Sequence, residues 1–311
     1  MIINELKKIL GQDDFMPFSE DFCGVKIESK NFSIIDGKMP CKVVCIDGGC
    51  SVLADGGSWS ISKIKVGIVE YDGLKKIIQE SKENYLIIVQ KKGYEIVSIS
   101  KAGVLKLNLS GIDSLKIEEL PSKIMKYFEW VECIERNEEC LFLMDSPLNA
   151  ETAFEKEVIK KALEKKKNVV GFCKTSRART VNGRSLLGVI NFLGPKNSEW
   201  VYHPIFENEG DVKTFVSKLD SATNFCYKVE VPQYSDFKSV FKFLSFFSKD
   251  SEILGYPYPL FVADKVARVN SFEKKRELFN IENELKKNGL FFDALSGSFH
   301  SHLDSKMYRK A

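Results

Sequence analysis

Two aspartates that close apolar strands could share a divalent metal ion. Asp47 ends the apolar run CKVVCID and precedes a Gly-Gly pair, and Asp145 ends CLFLMD and precedes a Ser-Pro pair. Carboxylates on neighbouring parallel strands can converge at one edge of a sheet, where open α/β folds place their sites. Hard divalent cations bind such clusters of oxygen ligands, so the pair predicts a metal site. Each aspartate taken singly also fits a turn residue that bonds its own backbone.

Three further charged side chains are candidates to join this pair. Glu129 and Glu132 are three residues apart on a predicted helix, so they are neighbours on one surface and either could supply a third carboxylate. Lys174 ends the run NVVGFCK and could hold a phosphate oxygen or stabilise developing charge. Solvated surface positions are the alternative for all three. The set is typical of phosphodiester hydrolysis in which bound metal activates water and no nucleophilic side chain is required.

A single acid, Asp264, follows the segment GYPYPLFVA near the end of the chain. The residue before a proline is pushed out of the helical region, so the two Tyr-Pro pairs over 256–259 predict an extended backbone. A helix is then expected to begin at about Asp264. On this interpretation Asp264 is either a metal ligand at the mouth of the site or an ordinary helix cap.

Histidine and cysteine patterns add little to this site. The chain has three histidines, His203, His300 and His302, which give little support to a Ser-His-Asp arrangement. The pair in FHSHLD has metal-like spacing, but solvation in a polar tail is the simpler interpretation. The eight cysteines form no CxxC pair and have no histidine at zinc-ligand spacing, so we expect small core residues in a reducing compartment.

The elements that position the acids are predicted to form an α/β fold with a mixed sheet. A buried strand over 41–47 is expected to turn at the Gly-Gly pair 48–49, and Asp55-Gly56-Gly57 is a hairpin signal. These features predict an antiparallel three-stranded meander, followed by further strands to about residue 120. After Pro121, the stripe in SKIMKYFEWVECIERNEE predicts an amphipathic helix.

The second half alternates strands and helices before a helical end. CLFLMDSP and NVVGFCKTS read as buried strands on either side of the helix ETAFEKEVIKKALEKKK, whose acids and lysines suit the helix dipole. LLGVINFL, EWVYHPIF and FCYKVEVP predict additional strands, and FKSVFKFLSFF and SFEKKRELFNIENELKKN predict closing helices. We therefore expect one domain over 1–311, with a core at about 38–235 and a C-terminal helical part at about 236–311 that contributes to the site.

Composition limits the function classes without choosing among them. The 311 residues are 44% hydrophobic, which suits a globular protein with a sizeable core. The 46 Lys and Arg nearly balance the 43 Asp and Glu, so any nucleic-acid surface must come from local patches. No stretch of 18 apolar residues and no secretory leader is found, which predicts a cytoplasmic protein without a membrane segment.

Taken in order, IDGG, the Glu-Trp helix, MDSPL, GFCKTS, FCYKVEVP and GYPYPLFVADKVARV resemble the NurA nuclease family over residues 41 to 270. The resemblance implies an archaeal nuclease with a ribonuclease H-like core that depends on Mn²⁺ or Mg²⁺. It further implies single-strand endonuclease and 5′ to 3′ exonuclease action on single-stranded and double-stranded DNA ends during end resection and repair. The implied partners are a second copy in a homodimer and a HerA-type hexameric translocase.

Carried over residue by residue, the resemblance gives Asp47, Glu129 and Asp145 as metal ligands, with Glu132 as the alternative to Glu129. It also gives Lys174 of GFCKTS and the first tyrosine of GYPYPL, Tyr256, as site residues. The chain departs from the pattern where many members carry histidine, eight residues after that tyrosine. Asp264 stands there, and an oxygen ligand in place of imidazole favours harder ions.

Two other functions stay open at this point. A non-catalytic adaptor that only docks on a translocase would be favoured by loss of an acid, and the aspartates at 47 and 145 are intact. An actin-like ATPase also begins with a strand ending in Asp-Gly, but it needs a second Asp-Gly hairpin and a Gly-rich adenosine loop. NGRSLLG is a poor match to that loop.

Overall fold

The computed structural model describes residues 27–112, 114–136, 139–176, 178–180, 184–205 and 211–289. His300 and His302 lie outside these residues. No helix among the described residues is long and apolar enough to cross a membrane. The chain divides into two compact units, a smaller one of Met1–Met39 and Phe172–Pro257 and a larger one of Pro40–Gly171 and Tyr258–Ala311. The single domain expected over 1–311 stays a prediction.

Strands and helices alternate through the described residues after an initial 3-10 turn. The strands are β1 Phe32–Ile34, β2 Lys42–Asp55, β3 Trp59–Asp72, β4 Lys75–Gln90, β5 Tyr94–Ser100, β6 Gly103–Leu107, β7 Leu141–Met144, β8 Val169–Cys173, β9 Trp200–Tyr202, β10 Val212–Lys218 and β11 Tyr227–Pro232. The helices are α1 Leu120–Glu135, α2 Ala153–Lys165, α3 Leu186–Leu193, α4 Phe237–Phe247, α5 Tyr258–Ala267 and α6 Ser271–Lys287.

The larger unit is built on a mixed sheet, as predicted. Strands β2 to β6 form an antiparallel meander, while β7 and β8 extend the other side of β2 in parallel, giving the order β8-β7-β2-β3-β4-β5-β6. The residues of β7 are all buried, as is the run 43–47 of β2. Parallel strands that are covered on both faces need such continuous apolar sequence. This explains the apolar runs that come before Asp47 and Asp145.

Strand β2 does not turn at Gly48-Gly49, and that prediction is wrong. The strand runs on to Asp55 and the hairpin expected at Asp55-Gly56-Gly57 joins it to β3. The glycines serve close packing instead of a turn. A Cβ added at Gly48 would lie 2.4 Å from Glu129 Oε1, and one at Gly49 would lie 2.1 Å from the carbonyl oxygen of Ala267.

Helix α5 also begins earlier than predicted. Its first residue is Tyr258, so the second Tyr-Pro pair belongs to the helix and Asp264 lies well inside it. Proline is tolerated in the first helical turn because the N–H it lacks would have no partner there. The expectation that Asp264 starts the helix is therefore wrong, and a capping role for this side chain is excluded with it.

The smaller unit contains four antiparallel strands and an apolar core. Strands β1, β9, β10 and β11 pair antiparallel in that order. Phe32 packs edge-on against Trp200, with ring centroids 5.1 Å apart, and close to Tyr202 at 4.7 Å. The buried side chains of Leu186 and Ile190 from α3 complete this cluster.

LLGVINFL forms the helix α3, which corrects the predicted strand. A short apolar run fits a buried helix as well as a strand, and the arrangement of buried residues decides. Leu186, Val189 and Ile190 are buried at helical spacing, whereas Phe192 is exposed. The Ser185 side chain accepts a hydrogen bond from the backbone N–H of Gly188 and caps the helix.

Because α5 packs on β2 and β3 through the glycines, we predict that Gly49→Ala destabilises the larger unit. The new methyl group would meet the Ala267 backbone at 2.1 Å, and overpacking of this kind costs about 1–3 kcal/mol. A lower midpoint of thermal or urea unfolding would be the expected result. Gly188→Ala is the matched control, since its Cβ would meet its nearest neighbour at 3.6 Å, an ordinary contact. Equal midpoints for the two variants would contradict the proposed packing.

Candidate metal centre

Three aspartates of the larger unit converge at one place. One carboxylate oxygen each from Asp47, Asp145 and Asp264 lies within 4.8 Å of the other two. The side chain of Asp47 is buried, and those of Asp145 and Asp264 are half-buried. Such a group of oxygen atoms is the ligand set that Mg²⁺, Mn²⁺ and Ca²⁺ prefer.

The parallel pairing of β2 and β7 brings the first two aspartates together. Ile46 of β2 pairs with Met144 of β7, so the next residues of the two strands are Asp47 and Asp145. The backbone N–H of Asp145 donates to the carbonyl oxygen of Ile46, at 3.2 Å, and continues the ladder by one residue. As expected for acids that follow neighbouring parallel strands, the side chains of Asp47 and Asp145 lie close together.

Helix α5 supplies the third aspartate through its close contact with β2 and β3. Asp47 pairs across the antiparallel ladder with Gly67, and cross-strand partners share one face of a sheet. A Cβ added at Gly67 would lie 2.5 Å from the Ala263 carbonyl oxygen. The helix backbone therefore occupies the space beside Asp47, which places the next residue of the helix, Asp264, at the cluster.

One cation is already paired with this cluster. The Arg268 guanidinium lies 2.7 Å from Asp264 Oδ2, one helical turn away, and its side chain is 69% exposed. An exposed pair of this kind contributes about 0–1 kcal/mol. Like charges about 4–5 Å apart repel by a few kcal/mol at the effective dielectric constant of a protein site, which is more than this exposed ion pair contributes.

Glu129 and Glu132 occupy different environments, although they are three residues apart. The side chain of Glu129 is buried, accepts a hydrogen bond from Ser146 Oγ at 3.3 Å and lies beside Gly48. Glu129 therefore contacts Gly48 and Ser146, which directly follow the aspartates at 47 and 145. Glu132 instead forms an ion pair with Lys82 at 2.6 Å, and burial raises the pKa of its carboxyl while that lysine opposes the rise.

Glu129 does not belong to the group of three aspartates that lie within 4.8 Å of one another. Successive side chains of a strand point to opposite faces. Gly48 faces α1 and Gly49 faces α5, so Asp47 shares the α5 face while Glu129 approaches from the α1 face. Of the two glutamates, Glu129 is the one next to the aspartates' own backbone.

Lys174 and Tyr256, two more predicted site residues, belong to the smaller unit. The ammonium group of Lys174 lies 5.6 Å from the centre of the Tyr256 ring. That ring is buried and packs edge-on against Phe172, with a centroid distance of 5.3 Å. The exposed lysine is thus held near an aromatic face.

Cys45 and His203 are poor ligands in their environments. Cys45 lies two residues before Asp47, and burial, together with nearby negative groups, raises the pKa of its thiol well above the ordinary value. A neutral thiol is not a metal ligand. The His203 ring, in the smaller unit, stacks on Phe215 at 4.5 Å and its Nδ1 is 3.2 Å from the carbonyl oxygen of Thr214.

Three parts of the site escaped the sequence analysis. Arg268 pairs with Asp264, Ser146 bonds to Glu129, and Gly67 admits α5 beside Asp47. The Asp-Arg spacing of four residues is a sequence signal for a helical ion pair. The serine and the glycine carry no such signal, because their roles depend on contacts between distant segments.

A family model described as the NurA domain matches residues 41–269, which is more than half of the chain. Among solved structures, the chain is similar to the NurA nuclease from Sulfolobus solfataricus, with a TM-score of 0.60 and 16% identity over 92% of this chain and 94% of that one. It is also similar to the catalytic domain of human Endonuclease V, with a TM-score of 0.43 and 13% identity over 83% and 92% of the two chains. No curated protein matches the chain. The first likeness confirms the predicted α/β class with a ribonuclease H-like core.

If the three aspartates bind one divalent ion, metal should stabilise the folded chain, and we predict that Mn²⁺ or Mg²⁺ raises the melting temperature above that in EDTA. Free metal at 100 times its dissociation constant contributes about 2.7 kcal/mol. Asp264→Asn should shrink this rise, and in EDTA it should melt no lower than the wild type, because the lost repulsion offsets the lost Arg268 pair. Asp72→Asn, at the end of β3, is the control and should keep the full rise.

The opposite pattern would count against a ligand role. A lower melting temperature of Asp264→Asn in EDTA, with an unchanged rise on addition of metal, would make Asp264 an ordinary ion-pair partner of Arg268.

Proposed function

The chain belongs to the NurA family, and from this premise we propose that it is a metal-dependent deoxyribonuclease that hydrolyses phosphodiester bonds. The observation that carries the proposal is the convergence of Asp47, Asp145 and Asp264, with carboxylate oxygens within 4.8 Å of one another. Carboxylates brought this close together in a partly buried place repel one another, and a divalent cation bound between them relieves that repulsion. A cluster that persists despite this cost supports a ligand-binding role.

The donor set fits a hard divalent cation. All three groups offer oxygen atoms, and Asp47 lies on a strand whose neighbouring residues are buried, so its position is fixed by packing. We propose that these aspartates hold Mn²⁺ or Mg²⁺, with oxygen at position 264 favouring the harder ion. A divalent ion bound there would lower the pKa of a bound water and stabilise charge on the leaving oxygen.

The chain's own side chains would then orient the ion and the scissile phosphate. Asp47 keeps one carboxylate oxygen turned to the backbone N–H of Gly48, at 2.8 Å, which restricts its rotation. Arg268 holds Asp264 from the exposed side. We propose that Glu129, fixed by Ser146, would act next to the aspartates as a further ligand or as a hydrogen-bond acceptor for the attacking water. Lys174 and Tyr256, which the family resemblance gives as site residues, stay predictions of that resemblance.

The finer parts of the proposal rest on the family. We propose that the substrate is DNA with single-stranded or double-stranded ends, cleaved 5′ to 3′ and within single strands during end resection. We further propose that the chain works as a homodimer with a HerA-type hexameric translocase. Light scattering of the purified chain, alone and mixed with such a translocase, tests both assemblies directly.

A non-catalytic adaptor is the alternative function. Docking on a translocase requires a surface of the right shape, but it does not require three carboxylates at mutual distances that raise the energy of the fold. The intact cluster therefore favours catalysis over pure docking. Nothing in the described residues specifically favours the actin-like ATPase.

We predict that Asp47→Asn and Asp145→Asn each reduce cleavage of end-labelled DNA by about 100-fold or more, because the amide keeps the shape but loses the charge that binds metal. The assay compares single-stranded and double-stranded substrates with Mn²⁺, with Mg²⁺ and with EDTA. Asp72→Asn is the matched control. Wild-type turnover in a variant that melts normally would remove that aspartate from the site, and metal-independent cleavage by the wild type would refute the proposed chemistry.

Glu129 and Glu132 allow a second, internally controlled comparison. We predict that Glu129→Gln lowers the cleavage rate by about tenfold or more, while Glu132→Gln leaves it within about twofold, because only Glu129 adjoins the aspartates. Both changes remove one negative charge from the same helix, so a general charge effect would lower both rates equally. A larger loss in Glu132→Gln would reverse the assignment.

A further inference from the structure

The smaller unit contains a cavity of about 320 Å³ that the nuclease proposal does not use. This volume lies at the lower end of the range of about 300–1,000 Å³ found for small-molecule sites. The cavity is formed by α3, the loop that follows it, the end of β10 and the loop before β11. Its lining residues are Gly188, Asn191, Phe192, Pro195, Lys196, Lys218 and Asn224.

Lys218, at the end of β10, is the unusual member of this lining. Only 8% of this residue is exposed to solvent. Among the residues that the structure describes, no carboxylate or other acceptor forms an ion pair or hydrogen bond with its ammonium group. An ammonium at the wall of a cavity gains a charge-assisted hydrogen bond when an anion binds beside it, so this position favours binding of an anion in the cavity.

Other lysines of the smaller unit show what pairing looks like in this sheet. Lys228 of β11 lies 2.7 Å from Glu230, and Lys249 lies 2.7 Å from Asp220. Both lysines are thus neutralised by acids of their own unit. The residues that line the cavity include two lysines and no carboxylate, so the cavity carries a net positive charge.

The rim of the cavity adds an aromatic surface. Phe192, near the end of α3, is 64% exposed. The ammonium of Lys196 lies 5.3 Å from the centre of its ring and donates a hydrogen bond to its carbonyl oxygen at 2.8 Å. A nucleobase can stack on an exposed aromatic ring, and a neighbouring ammonium group can attract the phosphate of the same nucleotide.

Amide groups supply the remaining polar contacts. Asn191 Nδ2 donates to the backbone carbonyl oxygen of Asn224, at 2.7 Å, and so ties α3 to the loop before β11. The two asparagines bring both hydrogen-bond donors and acceptors to the cavity. A ligand with a phosphate and a heteroaromatic base can use each of these groups.

We propose that this cavity binds a nucleoside monophosphate unit, with the phosphate on Lys218 and the base against Phe192. The unit can come from a free nucleotide or from a nucleotide within a single DNA strand, and the two sources share this chemistry. The site consists of residues of the smaller unit alone, so it does not rest on the three aspartates or on their metal.

The test measures binding in EDTA, which removes divalent metal from the aspartate cluster. Isothermal titration of the full chain with deoxyadenosine 5′-monophosphate, with deoxyadenosine and with inorganic phosphate separates the contributions of base and phosphate. Fluorescence anisotropy with a short oligodeoxyadenylate that lacks terminal phosphates covers the strand-derived source. We expect the monophosphate or the oligonucleotide to bind, and deoxyadenosine to bind more weakly than the monophosphate.

Three variants locate the site. Lys218→Met keeps the length of the side chain and removes its charge, and it should weaken binding about tenfold or more. Phe192→Ala should reduce affinity for the nucleotide and leave affinity for inorganic phosphate unchanged. Gly188→Leu keeps Lys218 but fills the cavity, since a Cβ there has room beside Ser185, and should also reduce binding. Lys213→Met, on the same strand with its ammonium 5.7 Å from the centre of the Phe237 ring, should bind as the wild type does.

The outcomes divide cleanly. Loss in Lys218→Met and Gly188→Leu with retention in Lys213→Met supports the site, and the probe that binds identifies the source. If Lys218→Met melts early, Gly188→Leu alone decides. No binding of the monophosphate or the oligonucleotide, or equal affinity in the wild type and Gly188→Leu, would overturn the proposal. Because cleavage is not the readout, this result stands apart from the success or failure of the nuclease proposal.

Discussion

Carboxylate oxygens of Asp47, Asp145 and Asp264 lie within 4.8 Å of one another, and the packing of the larger unit holds these like charges together. The parallel ladder between two buried strands fixes the first two. The third comes from a helix whose backbone lies directly on the sheet. None of these elements can move apart to relieve the repulsion without opening the apolar core, whose burial is worth about 25 cal/mol per Å². The geometry of the cluster is thus fixed by packing, and we propose that a cation binds to it.

Three glycines make this geometry possible. Gly48 and Gly49 are consecutive residues of β2 and face opposite sides of the sheet, so one admits Glu129 from α1 and the other admits the end of α5. Gly67, opposite Asp47 on β3, admits the same helix. A single strand therefore carries an acid and brings two helices to it, one on each face. Side chains at these positions would push the helices outward and separate the acids.

Much of this arrangement could be predicted from the sequence, and the errors have physical causes. Apolar sequence runs that end in Asp47 and Asp145 indicate neighbouring parallel strands, and the stripe after Pro121 indicates α1. The Gly-Gly pair at 48–49 was assigned to a turn because glycine signals positive φ and close approach equally, and only the tertiary structure separates them. LLGVINFL was assigned to a strand because short apolar runs lack a decisive period. The sequence predicts too late a start for α5, because a proline favours an extended residue before it and yet is accepted in the first helical turn. Lys218 gave no signal, since its burial depends on how β10 and α3 pack.

Diffraction from crystals soaked in Mn²⁺, recorded at an X-ray energy where manganese scatters anomalously, tests the central claim most directly. The account predicts an anomalous peak at about 2.0–2.6 Å from one oxygen each of Asp47, Asp145 and Asp264. The same crystals show whether Glu129 contacts the ion or a water bound to it. The account would be contradicted if no anomalous peak lay beside the three carboxylates at saturating Mn²⁺, whether or not a peak appeared elsewhere on the chain.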